Sequence, residues 1–327
     1  MVKVRNTTID FLRGLAVIFM IIIHALAYFL DQPSARLVWN YSQFAVPLFV
    51  FCSAYISFQR NNSTTPIFSQ ILTRLKRLIL PYYVFTTILL LLFEFVLGKT
   101  LTVQSALNWY LFGSGRDIGW LVILFVYFTF LVPLIIKVSK HDRLSKFLFQ
   151  AVWLVPLALI FVPPIESFRL IMWIPWAAFL TYVFWFVRNE NKKWFPLYVV
   201  LLSIIGFVVS RYLLLQIGHS LVFTENKYPP NLYFLSYGVL STTLLYYFHR
   251  FLTEHNLFAH WLQKIFNFFS RYSYSLFFIH FLFVYILKEW MDYREIGAWG
   301  FFGVIMGLTV VSQILINKAI WLVNRRK

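Results

Sequence analysis

Long apolar runs of about twenty residues, separated by short charged loops, dominate the chain. Ten stand out, at roughly 8–30, 39–58, 79–97, 119–137, 147–164, 170–187, 195–217, 232–248, 272–290 and 298–321. A helix of about 20 apolar residues crosses a ~30 Å hydrocarbon core. The pattern therefore predicts an all-α, polytopic integral membrane protein of about ten transmembrane helices. Residues 67–78 read differently. Ile67, Ile71, Leu75 and Leu78 form one apolar stripe, with Arg74, Lys76 and Arg77 as its polar counterpart. That is the pattern of an interfacial helix, started by Thr65-Pro66, with Pro81 opening the next span. A second amphipathic helix is expected in the loop 249–271, around Phe258, Trp261, Leu262 and Ile265.

The first run carries two groups that lipid does not tolerate without a reason, Arg13 and His24. Eleven residues at about 100° each come within ~20° of three full turns, so the two share a helix face. Their axial gap is roughly 16 Å, about half the hydrocarbon core. Charged and polar side chains at such depth face a cavity or a partner. One face of the first helix is thus expected to run from the cytoplasmic edge of a cavity to a point past mid-membrane.

Composition and charge sharpen this picture. The chain is 60% hydrophobic and 13% charged, outside the range of soluble domains. A net charge of +17 raises nucleic acid as a partner. The positions of the charges exclude it, because they are scattered over short loops. With the N-terminus inside, twenty Lys and Arg residues fall in inner segments, seven in outer ones, and Arg13 and Arg211 within spans. This positive-inside bias predicts both termini in the cytoplasm. Lys3, Arg5, the run 14–23 and Ala25-Leu26-Ala27 also have the outline of a signal peptide. Asp10 and Arg13 interrupt it and nine further runs follow, so the first helix is expected to be retained. Cys52, the single cysteine, lies in an apolar run and forms no internal disulfide.

Other polar residues within or beside the spans are secondary candidates. Ser53 either packs against its own helix or lines the cavity. Glu94 lies near the outer end of the third span, within reach of water. Arg211 lies in the outer third of the seventh, where it either snorkels or lines a polar site. His280 is a second intramembrane histidine, either bonded to a neighbouring helix or facing the cavity. Arg74, Lys76 and Arg77 either bind anionic lipid or clamp a phosphorylated cytosolic ligand. His249, His255 and His260 match no common zinc spacing, and no metal site is expected. The outer loop 218–231 is the longest polar outer stretch, a candidate lid.

In these residues the chain resembles the integral-membrane acyltransferase family known as acyltransferase 3, over nearly its whole length. The family's hallmark is an Arg, ten residues and a His in the first helix, which here is Arg13 and His24, preceded by Asp10 and followed by Gly14. Phe49, Ser53 and Ala54 look like its second-helix pattern, with Ala54 in place of the commoner Gly. Arg74-Leu75-Lys76-Arg77 before Pro81 looks like its inner basic motif. Trp120-Leu121, and Ser273-Tyr274-Ser275 on to His280, are also similar.

The resemblance implies an O-acyltransferase of the cell (cytoplasmic) membrane. Such proteins move an acyl group, usually acetyl, from cytosolic acyl-coenzyme A to a hydroxyl of a cell-surface or lipid-linked glycan. No tightly bound cofactor is expected. Acyl-CoA is the donor substrate and polysaccharide-biosynthesis proteins are candidate partners. On this reading His24 and Arg13 are catalytic, and Arg74, Lys76, Arg77 and Arg13 bind the donor. Asp10, Ser53, Glu94, Arg211 and His280 line the cavity or meet the acceptor. A single domain over 1–327 is expected. The sequence ends at Lys327 without the hydrolase-like domain often found in members acting on peptidoglycan, which disfavours finished wall polymer as acceptor. Two other classes fit ten helices with embedded polar groups: an exporter of a glycan or small molecule, and a non-catalytic partner of a polysaccharide synthase.

Overall fold

A computed structural model describes residues 6–59, 67–113, 118–163 and 167–325. Lys3, Arg5 and the Thr65-Pro66 helix start lie outside the described residues, as does the side chain of Ile67. The helices are α1 (Thr7–Leu26), α2 (Pro33–Tyr41), α3 (Ala45–Gln59), α4 (Ile67–Leu91), α5 (Val103–Tyr110), α6 (Gly119–Val138), α7 (Asp142–Ala151), α8 (Leu154–Ala158), α9 (Phe168–Ile171), α10 (Trp173–Asn189), α11 (Phe195–Gln216), α12 (Leu232–Glu254), α13 (His260–Arg271), α14 (Ser273–Trp290) and α15 (Gly297–Arg325). A 3₁₀ turn, Ser42–Phe44, joins α2 to α3, and a π-helical turn, Leu92–Val96, closes α4. Among the described residues β pairing is confined to an isolated bridge between Lys227 and Pro230.

The protein is an all-α polytopic membrane protein. Among the described residues seven helical stretches are long and apolar enough to cross a membrane. The pair α13–α14, bent by 78°, is an eighth if counted as one span. Ten were expected, and two segments account for the difference. The run 147–164 is broken: α7 ends at Ala151 and α8 has 5 residues, with Pro156 inside it and Pro163 beyond. Proline supplies no N–H to continue a ladder. The run 232–248 does form a helix, the 23-residue α12. Its hydroxyls and histidine keep it out of the apolar set, and the protein pairs its two central threonine hydroxyls internally. Tyr182 Oη lies 3.2 Å from Thr242 Oγ1 and 2.8 Å from Thr243 Oγ1. A helix walled by protein can carry groups that a lipid-facing one cannot.

Two further expectations need correcting. Residues 67–78 form no separate interfacial helix, because α4 runs unbroken from Ile67 through Pro81 to Leu91. Pro81 forfeits one hydrogen bond. Beyond it Tyr82, Phe85, Thr86 and Leu89, a helical stripe, are buried, and the helix continues through the gap. The loop 249–271 is also shorter than expected, since α12 continues to Glu254 and carries His249 with it. The amphipathic helix within that loop is present as α13.

The chain divides into two compact units, one of Met1–Phe49, Thr87–Thr100 and His249–Lys327, the other of Val50–Thr86 and Leu101–Phe248. In the first, α1 is the hub, packed by α2, α13, α14 and α15. Val17, Ile21 and Ala25 form its core with Leu276, Phe301 and Ile305. In the second, α10 packs on α6, α8 and α9. At its end the Glu190 carboxylate accepts from Tyr55 Oη, 2.9 Å, and Tyr246 Oη, 2.6 Å, so that one charge ties α3 and α12 to α10.

Candidate active site

The site starts at the N-terminus of α1. The Asn6 side chain caps the helix by accepting from the Ile9 N–H, 3.1 Å. This satisfies one of the donors that every helix start leaves open. Asp10 follows in the first turn, buried, where its Oδ1 accepts from Ser270 Oγ at 2.7 Å. Gly14 allows α13 to lie directly on α1: a Cβ there would stand 2.6 Å from the Phe266 carbonyl oxygen. Arg13 is half-buried on the same helix.

In its last turn α1 presents His24, half-buried, to α14. His24 Nδ1 lies 3.1 Å from Nε2 of His280. His280 is fully buried, and its Nδ1 donates to the Leu276 carbonyl, 3.1 Å, one turn earlier on α14. Phe281 closes the other side, with ring centroids 4.3 Å from His24 and 4.4 Å from His280. The two intramembrane histidines are therefore partners, 256 residues apart in the chain. Such a pair can hold one imidazole in a set orientation and move a proton at the other ring nitrogen.

The remaining candidates separate. Arg74 reaches α3, donating from its guanidinium to Ser57 Oγ, 3.0 Å, and Ser53 Oγ, 3.3 Å. Ser53 thus meets a cation as well as packing in its helix. Lys76 and Arg77 are exposed on α4, so the three cations do not share one environment. Glu94 is exposed in the π-helical turn, and Arg211 is exposed on α11.

Two residues that the sequence reading met only in passing, His249 in a rejected metal set and Lys227 in the candidate lid, have a defined place in the structure. His249 is buried in the first unit, stacked 4.3 Å from Phe11, with Nδ1 3.1 Å from Thr8 Oγ1. Its helical spacing from the apolar face of α12 was the available signal. Lys227, in the loop between α11 and α12, is buried with Nζ 5.2 Å from the Trp120 ring centroid and 5.1 Å from that of Tyr228. Desolvation lowers its ammonium from 10.5 to about 7. That loop is well structured. Asn231 Nδ2 donates to Asn226 Oδ1, 2.6 Å, and Asn226 Nδ2 donates to the Ser220 carbonyl, 2.9 Å. It borders an open cleft lined by His219, Glu225, Tyr228 and Asn231.

A family profile described as an acyltransferase domain matches residues 6–317. Comparison with curated proteins and with solved structures gave no match.

Proposed function

The chain belongs to the acyltransferase 3 family of membrane proteins, and on that premise we propose that it moves an acyl group, acetyl in the first instance, from cytosolic acyl-CoA to a hydroxyl of an extracytoplasmic or lipid-linked glycan. The observation that carries this reading is the imidazole of His24, held 3.1 Å from His280 inside an apolar helix pair. An alcohol is a poor nucleophile at neutral pH, and neutral imidazole is the side chain suited to take its proton there.

In the proposed reaction His24 accepts the proton of the acceptor hydroxyl as its oxygen forms a bond to the thioester carbonyl carbon. The C–S bond then breaks, and the thiolate leaves as coenzyme A after recovering that proton from the imidazolium. Arg13, lower on the same helix, is assigned to the donor. Lys76 and Arg77 are exposed cations of the kind that pair with coenzyme A phosphates. Arg74, bonded to Ser53 and Ser57, is assigned to fix the position of that basic segment. The cytoplasmic membrane is the proposed location, with the basic segment on the cytosolic side.

The test supplies purified protein with labelled acetyl-CoA and a glycan acceptor. Label should pass to the glycan, and His24→Ala should lose transfer while its melting temperature holds. Glycan flux without thioester consumption would point to a carrier instead. Full complementation by an Arg13→Ala, His24→Ala double variant in cells would point to a structural role.

A further inference from the structure

The Leu276–His280–His24 chain of contacts bears on which nitrogen of His24 is the basic one. The Leu276 carbonyl only accepts, so the hydrogen in its contact with His280 sits on His280 Nδ1. His280 has no solvent exposure. A second proton would bury a charge there, which loss of hydration disfavours. Its Nε2 is then a lone pair, and that lone pair faces His24 Nδ1 at 3.1 Å. The hydrogen between the rings belongs to His24. A neutral imidazole has one N–H. With that hydrogen on Nδ1, the lone pair of His24 is on Nε2.

We propose that His280 is a positioning residue for acyl transfer, which holds His24 as its Nδ1–H tautomer and aims Nε2 as the base. The inference rests on His24 acting as the base. His280 itself gains no proton and touches no reacting atom in this scheme. Its Nε2 keeps its acceptor role when His24 becomes imidazolium, so the charge forms on a ring whose Nδ1–H is already paired. A hydrogen bond from a charged donor is roughly twice as strong as a neutral one. The contact therefore strengthens at the step that needs it. Phe281 packs on the His24 ring, with centroids 4.3 Å apart.

The experiment combines kinetics with nitrogen NMR of histidine-labelled protein in micelles, the His24 signals being assigned by their loss in His24→Gln. Wild-type His24 should carry its proton at Nδ1 and none at Nε2. His280→Leu keeps the volume and removes the acceptor. It should mix the two tautomers and lower kcat on the order of 10²-fold, with the KM for acyl-CoA changed less than about threefold. His280→Gln places an amide oxygen near the lost Nε2 and should recover most of kcat. A wild-type His24 protonated at Nε2, or a His280→Leu variant with unchanged tautomer and kcat, overturns the proposal. Transfer that survives in His24→Gln overturns the catalytic reading instead, whatever the spectra show.

Discussion

Lys227 and Arg74 are both cations taken out of water, and they are accommodated in different ways. Arg74 spreads its charge over a planar fork, whose two arms reach hydroxyls one turn apart on α3. Lys227 is a compact ammonium set against the faces of Trp120 and Tyr228. Its folded value of about 7 lies below the 10.5 it regains on unfolding. Between those limits the unfolded chain binds more protons than the folded one. Stability therefore rises with pH across that window, and the contribution is lost as pH falls through about 7. The wild-type melting temperature should climb between pH 7 and 9 by more than that of Lys227→Met. An equal climb in both would assign the effect to other groups. Neither environment follows from the residue's own stretch of sequence. Trp120, one of the rings that Lys227 meets, lies more than 100 positions away.

At the scale of elements, the contact of α1 with α13 depends on the absence of one methyl group. The Cβ of an alanine at position 14 would meet the Phe266 carbonyl oxygen at 2.6 Å and its Cα at 3.1 Å. Both are backbone atoms, so no rotamer change relieves the clash and α13 must move. Overpacking of this kind costs about 1–3 kcal/mol. Gly14→Ala should melt earlier by that amount. It should also weaken the Asp10–Ser270 bond, which spans the same two helices. A variant with wild-type melting would show that α13 can retreat freely. The sequence placed the amphipathic α13 correctly from its apolar stripe, and it joined the motif residue Gly14 to Arg13. It did not show that Gly14 is the point of closest approach. It also misread the start of α4, where Pro81 was given the power to begin a helix. Proline breaks a helix only if the lost bond and the ring clash outweigh packing, and the buried stripe from Tyr82 to Leu89 outweighs them.

For the whole molecule, the charge bias of the loops and the helical spans give a topology that can be checked directly. Cys52 is buried with no exposure, so the native protein has little background for thiol reagents. Single cysteines at exposed positions then report sidedness. Lys192→Cys should react with an impermeant maleimide only from the cytoplasmic side, and Glu225→Cys only from outside. Labelling of both from one side would overturn the orientation drawn from the Lys and Arg count. The seven apolar helices, or eight with the bent α13–α14 pair, are fewer than the apolar runs suggested. Hydropathy alone overcounts α7–α8, where prolines break the run. It also cannot describe α12, whose Thr242 and Thr243 hydroxyls are paired inside the protein.

Local periodicity carried the helical class, most of the spans, and the placing of Arg13 and His24 on one helix. These depend on neighbours within a few turns, and backbone geometry converts their spacing directly into position. The family resemblance followed from the same local motifs. Packing decided the rest. The pairing of His24 with His280, the seat of Arg74 between two serines, and the burial of Lys227 all join positions remote in the chain. No rule of 3.6 residues per turn links such positions. They meet because helices carrying them pack closely, and inside an apolar medium a polar group must find its partner among whatever that packing brings near.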